Sequence, residues 1–441
     1  MKLLSSQKLC LPCWLLLGAV AALALAGCAS ETEAPGDDAA NPPASDATVF
    51  EGARVIVGDE STPIENAVFV VSEGRFTQVG AAGSVSVPDG ANRVDLSGKT
   101  VMPAIVDTHV HLPIEREALI DALEHKAYYG SGVVMGLGHD TGDAPFQVRS
   151  QTPEGMARLL TAGRGITMPE PGRSEVPYWI TTEDEARQAV RELAELQVDI
   201  VKIWVDDRNG QYEKLSPALY GAVIDEAHQN GLRVTAHIFA LEDAKGLLRA
   251  GVDAFAHSVR DMDVDEEFLK LIKERPDVVL VPNLGGAGVA TDLSWLSGTV
   301  PAEQLAEMQA SAVDNPQAQE RFAIQARNLA ALNEAGMKIA FGTDGGAPWA
   351  AHGEMADMVA AGMSPAEVIV AATSTSAEFV RLDGELGTIE TGKSADFLVL
   401  DANPLDDIAN TQQISDVYLR GSALDRAALR ERWNPSSTES Q

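Results

Sequence analysis

Residues 100–111 read Thr100-Val101-Met102-Pro103-Ala104-Ile105-Val106-Asp107-Thr108-His109-Val110-His111. The apolar run from Thr100 to Val106 has the length of a strand buried on both faces, and a polar cluster stands at its end. In an extended segment His109 and His111, two positions apart, face the same side and can chelate one metal ion. Seven comparable runs follow: Gly132 to Gly138, Leu159 to Gly163, Asp199 to Val205, Arg233 to Ile238, Ala254 to Val259, Val278 to Leu284 and Lys338 to Thr343. Amphipathic stretches separate them, such as Thr182 to Leu196, where Thr182 can cap and Glu185 stands three residues on, as in a capping box. This alternation calls for a parallel sheet of the α/β class with helices outside. Eight runs within residues 101–382 fit a closed (β/α)8, or TIM, barrel.

Outward from the barrel the pattern changes. Short β segments fill residues 48–100: Val55-Ile56-Val57, then Ala67 to Ser72, the turn Glu73-Gly74, and Arg75 to Val79. β character returns within residues 383–425, at Ala395 to Leu400 and Ile414 to Arg420. The two ends are expected to pair into one small β-sandwich, leaving residues 426–441 as a tail.

Among the first 27 residues only Lys2 and Lys8 are charged, and an apolar run extends from Leu9 to Ala26, the layout of a secretory signal. It ends in Leu25-Ala26-Gly27-Cys28, a string that resembles the bacterial lipobox, in which cleavage precedes the Cys and its thiol is diacylated. A plain signal anchor is the alternative, since 18 apolar residues can just span a bilayer. Residues 28–47 then read as an acidic tether. Lipidation at Cys28 would place the protein in the cell envelope as a periplasmic lipoprotein held at a membrane, and Ala29 in the next position favours the outer one.

All three cysteines, Cys10, Cys13 and Cys28, lie in or at the end of this segment, so the body has no thiol for disulfides or nucleophilic catalysis. The formal charge is −32, from 33 basic and 65 acidic residues, which excludes a nucleic-acid binder. Hydrophobic content of 45% excludes a disordered chain. A small-molecule partner suits this composition, and a homo-oligomer is compatible with it.

The remaining chemistry-bearing residues fall at barrel-strand ends. Lys202 lies within Ile200-Val201-Lys202-Ile203-Trp204, His237 ends Val234-Thr235-Ala236-His237, His257 lies in Phe255-Ala256-His257, and Asp344 follows Phe341-Gly342-Thr343. Barrel strands present their C-terminal ends to one face, so all six groups would converge at its mouth. A lysine inside an apolar strand needs an explanation, because a lone buried ammonium is costly. Either it pairs with a nearby Asp, or desolvation lowers its pKa and the neutral amine captures carbon dioxide as a carbamate that bridges two divalent ions.

With these motifs the sequence resembles the amidohydrolase superfamily, in its two-metal form with a carboxylated lysine, and more narrowly the imidazolonepropionase-like and prolidase-like branch. The resemblance runs from about Thr48 to Gly421 and includes the closing Gly392-Lys393-Ser394-Ala395-Asp396-Phe397. It implies that His109, His111 and Asp344 hold one metal ion, that His237 and His257 hold the other, and that Lys202 bridges them, zinc being the expected metal. It further implies hydrolysis by a metal-bridging hydroxide, with Asp344 as the catalytic general base and then acid. The substrate would be a C–N amide or peptide-like bond in a dipeptide or N-acyl amino acid. A lactonase or esterase on the same centre, and a non-catalytic ligand-binding lipoprotein, are the alternatives. The deaminase form is disfavoured: it lacks the strand-four lysine and uses a Glu near a later His, whereas Glu242 stands five residues after His237.

Other polar residues near the mouth form the expected substrate set. His139, with Asp140 after the second strand, either binds substrate or orients a ligand, or forms an ordinary polar loop pair. Arg208, Tyr212 and Arg260 follow the fourth and sixth strands, and arginine can grip a carboxylate bidentately. Asp207 and Asp261 adjoin these arginines, so solvated surface pairs are the favoured reading of both. His352, in the loop after Asp344, is a candidate lid or supporting residue. His125 and His228 lie in helical stretches and read as structural or exposed. Departures from the family pattern occur in Thr167-Met168-Pro169-Glu170-Pro171-Gly172-Arg173, at Ala256 where a Glu is customary, and at Ile238-Phe239 in place of small residues.

Overall fold

Strands Ile105–Val110, Ser131–Gly136 and Arg158–Thr161 pair in parallel, and Val201–Val205, Val234–Ile238, Ala254–Phe255, Val279–Leu280 and Lys338–Ile339 form a second parallel series in chain order. Main-chain bonds close the ring. Asp199 N donates to Thr161 O at 2.9 Å, joining third strand to fourth, and Thr108 N donates to Phe341 O at 2.9 Å, joining eighth to first. The computed structural model describes residues 46–434; the signal segment, Cys28 and nearly all of the acidic stretch lie outside the described residues, as do residues 435–441.

All eight expected strands are present within this α/β barrel, several of them shorter than their apolar runs. The first run is divided: Thr100–Pro103 belongs to the terminal sheet, and the barrel strand begins at Ile105. Strand alternation then sorts the side chains. Val106, Val133, Met135, Leu160, Ala254, Val279 and Ala340 fill the barrel interior, whereas Val201, Ile203, Val205, Val234 and Ala236 pack against the helices. Among those helices Glu183–Glu195 starts as the sequence predicts, with both bonds of the Thr182–Glu185 capping box formed, a device that stabilises a helix by about 1 kcal/mol.

The terminal segments share one eight-stranded sheet rather than the two facing sheets of the expected β-sandwich. Thr48–Val55 lies at its centre, antiparallel to Ile64–Ser72 and parallel to both Asn92–Asp95 and Thr100–Pro103. Phe397–Leu400 pairs with Thr100–Pro103 and with Ile414–Leu419, which ties the C-terminal segment to the start of the barrel. Phe50, Phe69, Phe76 and Phe397 pack ring on ring in its core, and aromatic pairs of this geometry add about 0.5–1.5 kcal/mol each beyond their buried area. The expected tail contains a helix, Arg426–Trp433, capped by Asp425 through Ala428 N. Trp433 stacks on His125 of the first barrel helix, Arg116–Tyr128, with ring centroids 3.4 Å apart, and Arg430 bonds the Tyr128 hydroxyl at 3.0 Å.

Candidate metal centre

Strict alternation along the first strand would turn His109 outward, because Val106 lies in the barrel interior and Asp107 faces the first helix. The pairing with the second strand slips between Asp107 and Val110, and this bulge brings His109 back to the interior. His109 Nε2 and His111 Nε2 then each lie 3.0 Å from Asp344 Oδ1, and His257 Nε2 lies 3.6 Å from Asp344 Oδ2. Asp344 adopts φ 51°, a left-handed conformation that costs a non-glycine residue energy, and its N–H is fixed to His109 O at 2.8 Å. Burial opposes charge on the Asp344 carboxyl, yet the imidazoles of His109, His111 and His257 outweigh it and hold the group below the usual carboxylate range.

Each imidazole is oriented by a partner of its own. Asn283 Oδ1, on the loop after the seventh strand, lies 2.9 Å from His109 Nδ1. Accepting a proton there leaves the lone pair of His109 on Nε2, which is buried without a hydrogen-bond partner. His139 Nδ1 lies 3.1 Å from His111 Nδ1. Asp206 Oδ2 lies 3.0 Å from His237 Nε2 and accepts from Arg208 Nη1 at 2.6 Å, and Arg208 Nη1 itself lies 3.1 Å from that ring nitrogen. Burial, followed by the charge on Lys202, takes His109 down to about 4, and burial takes His237 down to about 3. Both are neutral at pH 7, the form a metal ligand needs.

Lys202 is completely buried, and its Nζ has no hydrogen-bond partner. It lies in register with Thr235, and Trp204 with His237, so these four side chains share the barrel's inner face. Burial lowers the ammonium to about 7. The Lys–Asp pair that would have given a structural account of this lysine is absent.

These donors fit divalent metal ions. The ligand atoms of His109, His111 and Asp344 lie within 4.8 Å of one another, the orphaned His109 Nε2 faces them, and a further orphan, Lys202 Nζ, is buried in the same barrel. His257 fits conditionally. Arg260 Nη2 donates to its Nδ1, which puts the proton on Nε2, so ligation through Nε2 requires the guanidinium to withdraw.

A model of the amidohydrolase family matches residues 100–424. The chain belongs to that family. An uncharacterized protein of Mycobacterium tuberculosis is 28% identical over 382 residues, covering 83% of this chain and 95% of its own length. Imidazolonepropionase of Brevibacillus brevis is 25% identical over 339 residues, covering 70% of this chain and 77% of the enzyme. The crystal structure of a candidate prolidase from Bifidobacterium longum superposes with a TM-score of 0.73 at 28% identity, covering 89% of this chain and 100% of the other.

Against this amidohydrolase frame several expected substrate residues take other places. Arg208 does not pair with Asp207: it bonds Asp206 and, at 3.0 Å, the buried Glu170. Arg260 does not pair with Asp261, whose carboxylate accepts from Leu241 N; besides His257 it bonds Asn283 O at 3.3 Å and Gln325 Oε1 at 3.2 Å. The solvated-pair reading of both arginines is thereby overturned. Tyr212 donates its hydroxyl to Pro171 O at 3.2 Å. His352 is buried between Thr411 Oγ1 at 3.0 Å and Tyr129 O at 3.1 Å, so neither ring nitrogen is left for a substrate or a lid. His125 and His228 bond Asp121 O and Asp253, consistent with a structural reading.

Sequence reasoning missed Asn283, Asp206 and Glu354. Asn283 and Asp206 follow strands seven and four, where the rule that found His237 could have found them. Glu354, on helix Ala350–Ala360, accepts from Leu284 N at 2.9 Å and so anchors the residue after Asn283. Burial raises its carboxyl from 4.5 to about 8, against the pull of the Leu284 N–H. A raised carboxyl pKa means that folding favours the protonated form. That stabilisation is complete below about pH 4.5 and is lost as pH rises through about 8. Thermal unfolding followed from pH 5 to 9 is expected to show a shallower fall in Tm for Glu354→Gln than for the parent. Parallel curves would refute the assignment.

Proposed function

We propose that this amidohydrolase is a metal-dependent hydrolase of a C–N amide or peptide-like bond in a small substrate of the dipeptide or N-acyl amino acid type. The observation that carries this reading is the Asp344 carboxylate, strained in backbone and held against three imidazoles at the mouth of the barrel. His109, His111 and Asp344 would hold one divalent ion and His237 and His257 a second, zinc being the expected metal. Lys202 would join them as a carbamate, formed when its neutral amine adds carbon dioxide and releases a proton. When bound, such ions acidify water and polarise a carbonyl oxygen.

The chain's own groups supply the rest. Asp344, ionised at neutral pH, accepts a proton from the attacking water at one carboxylate oxygen and returns it to the leaving amine. Asn283, His139 and Asp206 keep the imidazoles in position, so little reorganisation is needed as charge develops. Arg260, half-buried beside His257, would offer positive charge to a substrate carboxylate, whereas Arg208 is already paired with Asp206 and Glu170. The candidate prolidase of B. longum supports a dipeptide-type substrate by its name. Lipidation at Cys28 would present the enzyme at the outer membrane's periplasmic side.

The test is metal analysis of the purified protein followed by parallel panels of dipeptides, N-acyl amino acids and lactones. Amide turnover that disappears on chelation and returns with zinc is expected. Turnover of lactones alone would replace the amidase reading with an esterase, and saturable ligand binding without turnover of any panel would make the protein a binder.

A further inference from the structure

Six large apolar side chains are exposed among the described residues: Ile114, Leu196, Phe239, Met262, Val289 and Val313, with relative exposures of 37–60%. Isolated exposed hydrophobes are ordinary; their distribution here is not. Five of the six lie on loops leaving the C-terminal ends of strands one, five, six and seven, and four of these follow a site residue closely in the chain. Ile114 stands three residues after His111, Phe239 two after His237, Met262 five after His257 and Val289 six after Asn283. Val289 and Val313 stand at the two ends of the excursion that carries helix Ala302–Ser311, where Asn315 N donates to Gly288 O and Thr291 N to Ala312 O. The fifth and sixth loops are joined by Arg260 N donating to Phe239 O at 2.8 Å. The sixth residue, Leu196, closes the helix before strand four.

Charge is layered in the opposite sense. Lys202 is buried and Arg208 and Arg260 are half-buried at the mouth, while the apolar groups are exposed on a strongly acidic molecule. Apolar groups standing on the loops above a few convergent polar ones mark a ligand site rather than ordinary surface. We propose that this rim selects amphiphilic substrates, N-acyl amino acids whose carboxylate lies inward near Arg260 and whose long aliphatic acyl chain runs out over Phe239, Met262, Val289 and Val313. This rests on the hydrolytic reading above and names its substrate class.

The experiment uses the zinc-reconstituted protein and N-acylglycines from acetyl to decanoyl, with both equilibrium binding and kcat/KM measured. Both are expected to rise about two- to fourfold per added methylene until the rim is covered, the gain for a partly to fully buried CH2. Phe239→Ser and the double variant Val289→Ser/Val313→Ser should flatten that rise, whereas Leu196→Ser should keep the parental slope. All these positions are exposed, so the folded state tolerates the changes. A flat profile in the parent, or an unaltered slope in the rim variants, overturns the inference even if short acylglycines are cleaved and the hydrolytic reading stands. Length-dependent binding that the rim variants lose, without turnover of any member, keeps the rim and rejects the chemistry. Sedimentation with phosphatidylglycerol vesicles that depends on the rim, alongside a flat acyl profile, overturns the inference by assigning the same residues to a membrane surface.

Discussion

Asp344→Asn is expected to lower kcat for the best amide substrate by about 10³-fold, within the range lost when a positioned general acid–base is removed. Asparagine suits the test because it tolerates left-handed backbone, and Asp344 stands at φ 51°, so the bond from its N–H to His109 O should survive. What changes is chemical: an amide cannot take up a proton at neutral pH. It also places a donor against His109 Nε2 and His111 Nε2, or rotates to present only a neutral oxygen, so metal affinity should fall as well. Metal content and turnover must therefore be measured on the same samples, with excess zinc present. Turnover within about threefold of the parent at full metal occupancy would exclude Asp344 from proton transfer, whose removal should cost far more.

The group formed by His109, His111 and Asp344 was legible because its members are rare residues at predictable places, two histidines and an aspartate ending apolar strands. The structure brings His109, His111, His257 and Asp344 into direct proximity and puts His237 next to His257, ring centroids 4.5 Å apart. The supporting residues were less legible, since their roles depend on which loop packs against which. Arg208 shows why: its chain neighbours include both Asp206 and Asp207, and only the position of the distant Glu170 decides that it turns inward. His352 failed in the other direction, as a polar residue near Asp344 in sequence whose helix carries it to Tyr129 and Thr411. The bulge in the first strand was also hidden, because a one-residue slip leaves no mark in composition.

Lys126 carried a signal that went unread. Leu119, Leu123 and Lys126 recur at helical spacing, which puts the lysine on the buried stripe of the first helix. It is wholly buried, as is Asp107, with Nζ 3.2 Å from Asp107 Oδ2 and 3.4 Å from Gly345 O. Asp107 in turn accepts from Thr343 N at 3.0 Å and from Thr343 Oγ1 at 2.9 Å. The pair thus holds the residues on both sides of Asp344. Lys126→Met would leave an uncompensated buried carboxylate, and removing one partner of such a pair costs about 3–5 kcal/mol. Urea unfolding should report a loss of that size, with metal affinity reduced about tenfold although every ligand is intact, as for loss of a supporting residue. Adding Asp107→Asn should recover most of the stability, because the amide oxygen can still accept from Thr343 N while the charge is gone. If the double variant instead loses the sum of the two single effects, the residues are not coupled and the proposed brace on Asp344 does not exist.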